Sequence, residues 1–153
     1  MVSIGQEHPD QPEIARLLRE SDAFAAALYP PETCYMIDTA ALARPNVRFF
    51  VARLDGAAVG CGAVVLAEDG TAEIKRMFVD GRARGQGVAR RLLDALETAA
   101  RNAGAAAICL ETGTRSDAAL ALYRRAGYRD RGPFGAYKAD AYSVFMEKKL
   151  APA

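Results

Sequence analysis

Residues 71 to 103, TAEIKRMFVDGRARGQGVARRLLDALETAARNA, constrain the fold more than any other stretch of the chain. They read as a strand, a glycine- and arginine-rich turn and an amphipathic helix whose Val88, Leu92, Leu93, Leu96 and Ala100 fall on one stripe. Such a helix must lie on the sheet that its strand joins. The turn, Gly81 to Gly87, holds three glycines and two arginines in seven residues and opens directly onto the first helical turn, Val88 to Arg91. Free N–H groups at a helix start, the positive end of the helix dipole and glycines that let a backbone approach closely all favour a phosphate. The ligand class this predicts is a phosphorylated cofactor.

Within the strand, Ala72 and Ile74 share one parity and Met77 and Val79 the other. A regular two-residue alternation cannot place all four on one face. A β-bulge near Lys75–Arg76 repairs the register and frees local N–H and C=O groups for a peptide-like ligand arm. A strand buried on both faces is the alternative and needs no bulge.

Arg84-Gly85-Gln86-Gly87-Val88-Ala89 resembles the R/Q-x-x-G-x-G/A signature of the GCN5-related N-acetyltransferase (GNAT) family, and the preceding EIKRMFV strand resembles that family as well. Leu122-Tyr123-Arg124-Arg125-Ala126-Gly127-Tyr128 matches its L-Y-x-x-x-G-F/Y segment. Three motifs in the family's order make the resemblance specific over roughly residues 47 to 149. It implies an α+β fold with a mixed, mostly antiparallel sheet of about six to seven strands, helices on both faces and a central strand–turn–helix cofactor unit. It also implies acetyl-CoA as co-substrate, no metal, and transfer of the acetyl group to a primary amine by direct attack on the thioester.

Acetyl transfer needs a held pantetheine arm, a neutral amine, oxyanion stabilisation and a proton for the leaving thiolate. By the resemblance, the N–H groups of Arg84, Gly85, Gln86, Gly87, Val88 and Ala89 take the pyrophosphate. The backbone from Met77 through Phe78 to Val79 pairs with the pantetheine and the thioester carbonyl. Tyr123 is the proton donor, because a phenol matches a leaving thiol in acidity; an inward tyrosine can also serve simply as core. Glu73 stands where several relatives place a general base, and a surface ion pair with Lys75 or Arg76 is its other reading. Many relatives carry Asn seven residues before the tyrosine; this chain has Ser116 there, a departure at a cofactor-binding position.

Elsewhere the order of elements is that of one domain over residues 1 to 153. A strand at 2–6 precedes a helix from about Glu13 to Leu28, which Pro30 and Pro31 stop, and a short helix follows at 38–43. Two Asp-Gly turns then make an antiparallel meander from 47 to the central strand. Gly60 and Gly62 remove side chains from one strand face, for a ligand or for close packing under the central helix. A parallel strand at 105–110, a helix at 116–126, a strand at 128–131 and a last strand at 142–149 complete the chain. In the family the segment between the first helices commonly lines the acceptor pocket, which makes Tyr29, Glu32 and Tyr35 candidates for substrate contact. The loop from Gly132 to Asp140 brings Phe134 and Tyr137 to the same end as a lid over a small pocket. A small amine with a polar group, such as an amino acid or a polyamine-like compound, is the expected acceptor. A protein or peptide acceptor, or a non-catalytic acyl-CoA sensor on the same fold, are the alternatives. The lid can equally cover a sheet edge or meet a second subunit in a homodimer.

A net charge of +1 gives no long-range attraction to nucleic acid or an anionic membrane. With no apolar run of membrane-spanning length and no basic, apolar leader in MVSIGQEHPDQPE, a cytoplasmic protein is expected. Three widely spaced cysteines suit reduced core thiols. His8, the lone histidine, leaves no partner for a Ser–His or Cys–His pair. A dinucleotide-binding βαβ reading of Gly85-x-Gly87 fails at Arg90, which stands where a third glycine is needed.

Overall fold

The computed structural model describes residues 1–152 and arranges seven strands in one open sheet. The strands are β1 (Val2–Gln6), β2 (Val47–Leu54), β3 (Ala57–Leu66), β4 (Thr71–Val79), β5 (Ala107–Gly113), β6 (Arg129–Arg131) and β7 (Ser143–Lys149). Their spatial order is β1-β2-β3-β4-β5-β7-β6, antiparallel throughout except for the β4–β5 pair. The four helices are α1 (Pro12–Leu28), α2 (Thr39–Leu42), α3 (Val88–Asn102) and α4 (Asp117–Arg125). The α+β class and the mixed sheet are those expected from the sequence.

Hydrophobic patterning decides which helix covers which face. The α3 stripe is fully buried, and with Tyr123 and Ala126 from the α4 end it packs on Val64, Ala72, Ile74, Ile108 and Leu110. Ile14, Leu17 and Leu18 of α1, with Leu42 of α2, cover the other face over Phe49, Val51, Cys61 and Ala63. Asp38 caps α2 by accepting the Ala41 N–H at 2.8 Å, whereas α1 starts on Pro12 and runs out at Tyr29, ahead of Pro30. Gly60 and Gly62 are there for packing. A Cβ at either would come within 3.1–3.2 Å of a leucine methyl of α3 and of β4, so side chains at these positions would lift the helix from the sheet.

The central strand carries the expected bulge. Opposite β3, Cys61 pairs with Phe78 but Ala63 pairs with Lys75, so β4 spends one extra residue at that point. Arg76 takes it up in the left-handed region, φ 58°, a conformation that is costly for a residue with a side chain. Its buried guanidinium holds that conformation by donating to Asp22 at 2.6 Å and to the Leu18 carbonyl at 3.2 Å, while its Nε has no partner among the described residues. The register flips as required: Ala72 and Ile74 before the bulge, and Met77 and Val79 after it, all pack toward α3. Phe78 packs toward α1.

Beyond Ile74–Leu110 the parallel pair β4–β5 has no further partners. β5 continues along β7 as far as Gly113–Ser143, and β4 continues along β3 as far as Val79–Gly60. The two strands therefore part, and a cleft opens between them.

The turn that follows β4 is fixed by Asp80. Its N–H donates to the Val59 carbonyl at 2.7 Å, and its buried carboxylate accepts from the Arg82 N–H, from the Arg82 guanidinium at 2.7 Å and from Arg16 of α1 at 3.2 Å. The Arg82 side-chain hydrogen bond, ahead of the other contacts, holds the Asp80 pKa down at about 2. An aspartate held below its unfolded pKa of about 3.9 stabilises the fold at pH above that value and loses the contribution as pH falls through about 2. Asp80→Asn should cost on the order of 1–2 kcal/mol near neutral pH, after allowance for solvent screening. It should also flatten the acid dependence of stability between pH about 4 and about 2. Urea midpoints across that range check this, and a variant that tracks the wild-type curve would show that the turn stands without the carboxylate.

Candidate active site

The turn after Asp80 is a cradle of amide groups. A single 3-10 turn, Gly81–Ala83, leads into Gly85 and Gly87, which take φ of 79° and 73°. Those left-handed positions are where glycine is required, and Gly87 is the N-cap of α3. From Gly85 to Arg90 no backbone N–H has an acceptor among the described residues, while the Arg91 N–H already closes on the Gly87 carbonyl at 3.1 Å. Free donors at a helix start fit the phosphates of a nucleotide-bearing thioester. The arginines are partly committed. Arg82 is held by Asp80, Arg84 lies over the Phe24 ring at 5.6 Å and Arg90 pairs with Asp94 at 3.1 Å, and Arg84, Arg90 and Arg125 bring exposed positive charge to the cleft.

The cleft itself, about 630 Å³, runs from this cradle through the parting of β4 and β5. Of the residues expected to hold a cofactor, Met77, Phe78 and Val79 line it from β4; Arg84, Gly85, Gly87, Val88 and Ala89 line it from the turn and α3. Gln86 points away from the lining, though its N–H stays in the cradle. Tyr123 lines the cleft from α4. Its side chain is 5% exposed and sits edge-on to the Tyr128 ring at 5.6 Å, yet its hydroxyl has no hydrogen-bond partner among the described residues. Burial pushes its pKa well above the ordinary phenol value, so the group carries its proton at neutral pH. Ser116, by contrast, is already engaged: its Oγ lies 2.7 Å from the Tyr29 hydroxyl.

On the opposite face of the sheet, beneath the α1–α2 segment, titratable groups converge. Lys75 donates to the Tyr35 carbonyl at 3.0 Å and to the Tyr137 hydroxyl. The Tyr137 hydroxyl donates to Glu73, Lys75 pairs with Glu73 at 3.3 Å, and the Tyr35 hydroxyl donates to Asp140 at 3.2 Å. The 132–140 loop thus reaches the α1–α2 segment as the sequence predicts, with Tyr35 and Tyr137 edge-on at 5.1 Å. The same latch keeps Glu73 and Tyr137 out of the cleft lining. Two further expected contacts also lie outside it. Phe134 is turned inward against Tyr137 and Phe145 at 5.0 and 5.9 Å, and Glu32 lies exposed on a 3-10 turn, Pro31–Thr33, whose prolines carry its side chain into solvent. Tyr29 and Tyr35 do line the cleft.

Two carboxylates line it, Asp117 at the start of α4 and Glu111, whose part in the site sequence reasoning passed over. Glu111 is the one set among the converging groups. It stands in β5 where pairing with β4 has just ended. Burial, first, and then Asp140 and Glu73 raise its pKa, against the lowering effects of Ser143 and Lys75. The signal was a charged residue at the carboxyl end of an apolar parallel strand, the end at which ligands of open α/β sheets bind. Cysteine chemistry is excluded at Cys61, whose thiol is fully buried and pushed up to about 12 by burial. Among the described residues no three His, Cys, Asp or Glu side chains are placed to hold a metal ion, and no helix is long and apolar enough to cross a membrane.

The chain's relatives share this layout. The family model described as "Acetyltransferase (GNAT) family" matches residues 12–128. The chain is similar to an IAA acetyltransferase of Azospirillum brasilense, 47% identical over 150 residues that cover 97% of this chain and 98% of the relative. Among solved structures, a Klebsiella pneumoniae protein assigned as an acyl-CoA N-acyltransferase is 38% identical over 99% of both chains, with a TM-score of 0.84. The PaiA N-acetyltransferase of Thermoplasma acidophilum, solved with coenzyme A, shares the fold at 16% identity over 98% of this chain and 99% of its own, with a TM-score of 0.76. A match of this extent, on a sheet that parts beside a glycine cradle, shows that the chain belongs to the acetyltransferase (GNAT) family.

Proposed function

We propose that this acetyltransferase moves the acetyl group of acetyl-CoA to the primary amine of a small, cationic molecule by direct attack of the amine on the thioester. The observation that carries the reading is the Tyr123 hydroxyl, protonated and without a partner, in a cleft that also holds the amide cradle and the bulged strand. The thioester supplies an activated acyl carbon and a thiolate leaving group. The chain's own part is to bind, orient and move protons.

The N–H groups of Gly85 to Arg90 bind the pyrophosphate, with Arg84, Arg90 and Arg125 adding charge at the rim. Backbone groups of Met77 to Val79, released from β5 by the parting of the sheet, align the pantetheine arm and donate to the carbonyl oxygen as charge develops on it. Tyr123 gives its proton to the departing sulfur. Glu111, half-buried with a raised pKa, accepts the amine's proton, directly or through water. Glu73, held by Tyr137 and Lys75, serves to latch the loop over the acceptor chamber and adds its charge to it.

The charge inside that chamber selects the acceptor class. Glu73, Glu111 and Asp140 outnumber the cations beside them, Lys75 and the Arg115 guanidinium over the Tyr142 ring, between tyrosine rings at positions 29, 35, 137 and 142. Excess negative charge among aromatic walls favours an amine with a second positive group and disfavours a free amino acid carboxylate. The closed loop favours a small acceptor over a peptide.

Three outcomes are expected. Placing an acid on the cleft lining without straining a glycine, by Ala89→Glu, should weaken acetyl-CoA binding at least tenfold in calorimetry while Gln86→Ala, outside the lining, changes it little; equal affinities would remove the cradle from the binding site. Tyr123→Phe should lower kcat by roughly 10²–10⁴-fold with acetyl-CoA affinity nearly unchanged, and an unaltered kcat would return Tyr123 to the core. In an acetyl-CoA consumption screen, short diamines should outpace amino acids, lysine-containing peptides and protein N-termini, with Glu111→Gln depressing the rate most near neutral pH and least in alkali, where the amine is already neutral. Faster acetylation of peptides than of every small amine would overturn the acceptor assignment, and binding without consumption would make the protein a sensor.

A further inference from the structure

Tyr29 lines the chamber, but it is fixed in a way that the acceptor reading does not explain. Gly113, the last residue of β5, faces the same side of the sheet as Glu111, two residues before it. The Tyr29 ring lies directly on that glycine, and a Cβ built there would overlap the ring. Gly113 has an ordinary backbone conformation, so the tyrosine, not φ, makes glycine necessary. The ring is held at both ends. Its hydroxyl meets the Ser116 Oγ at 2.7 Å and accepts the Arg115 N–H at 2.9 Å, while Arg115 reaches back to the Leu28 carbonyl at 2.8 Å, one residue before the ring's own Cα. Tyr142 stands edge-on to Tyr29 at 6.4 Å, and the Arg115 guanidinium covers Tyr142 at 5.5 Å. The result is a braced wall at the end of β5, between the α4 side, where Tyr123 waits, and the chamber of Glu111.

We propose that Tyr29 limits the length of the acyl group the enzyme transfers, by closing the parting between β4 and β5 beyond the space of an acetyl or propionyl group. The inference rests on the acetyl-CoA reading of the cleft. The pantetheine arm fills the cleft on the cradle side of the thioester, so extra methylenes must extend the other way, across the parting toward Gly113. There they meet a ring that cannot rotate aside without breaking both hydrogen bonds of its hydroxyl. Ser116 has a corresponding role: its hydroxyl braces the wall in place of contacting the cofactor.

The test is acyl selectivity, read as kcat/KM for acetyl-, propionyl-, butyryl- and hexanoyl-CoA with one diamine acceptor. One methylene too many in a filled pocket is worth roughly 10–200-fold, so the wild-type enzyme should fall by at least tenfold between propionyl- and butyryl-CoA. Tyr29→Ala should raise the butyryl-to-acetyl ratio at least tenfold, and Tyr29→Leu, which keeps apolar cover on Gly113, should shift it in the same direction by less. Tyr29→Phe retains the ring but loses both hydrogen bonds of its hydroxyl, so it should raise the ratio by less than Tyr29→Ala does, with Ser116→Ala shifting it in the same direction. If wild type and Tyr29→Ala show the same ratio, Tyr29 does not set chain length; if the wild-type enzyme turns over no acyl-CoA at all, the acetyltransferase reading fails instead.

Discussion

The parting of β4 from β5 is the constraint on which the site depends. Two parallel strands that stayed paired to their ends would satisfy each other's backbone groups and leave no room for a ligand. Here four residue pairs hold the strands together, Thr71–Ala107 to Ile74–Leu110, and then the bulge intervenes. Arg76 accepts a left-handed backbone, which turns the rest of β4 toward β3 and away from β5. The buried pairing of Arg76 with Asp22 and the Leu18 carbonyl ties that distortion to α1. The helix that covers the acceptor side is thereby bonded to the residue that opens the cofactor side.

Much of this was legible in the sequence because it followed from steric and periodic rules. The bulge came from parity alone: Ala72 and Ile74 against Met77 and Val79 cannot share a face otherwise. The cradle came from glycines at Gly85 and Gly87, whose positive φ the structure confirms. The α3 stripe was readable by its spacing, except at Glu97, a buried carboxylate that accepts from Tyr128 at 2.9 Å and Lys148 at 2.9 Å. No local pattern announces a charge whose partners lie 31 and 51 residues away. Glu111 had a local signal in its place at the end of β5, and what hid its role was dependence on distant neighbours. The same dependence also made Phe134 and Glu32 look like pocket residues, because the direction of a loop side chain is set by contacts that sequence spacing does not encode. Glu73 was correctly placed on the strand before the bulge, but its engagement by Tyr137 depends on a loop more than sixty residues further on.

Charge is distributed on the two sides of the sheet in opposite senses. At the cradle the free donors are backbone N–H groups, and one of the turn's two arginines, Arg82, is spent on Asp80. Amide donors keep their place regardless of ionic strength, whereas exposed arginines at the rim contribute mostly to attraction at a distance. Beneath the α1–α2 segment the carboxylates of Glu73, Glu111 and Asp140 are partly buried, beside Lys75.

At the far end of the sheet, β6 is three residues long, Arg129-Asp130-Arg131, and all three are exposed. It bonds to β7 along one side only. An unpaired strand edge is a template onto which any extended chain can add, and proteins suppress that by brevity and by charge. β6 uses both. Arg131 and Asp130 turn their charges to Glu147 and Arg124, respectively, at 2.7 and 3.1 Å, so an incoming strand would have to displace ion pairs to gain very few backbone hydrogen bonds. The last strand to join the order of the sheet also terminates it, and this edge resists runaway strand addition, the first step toward aggregation.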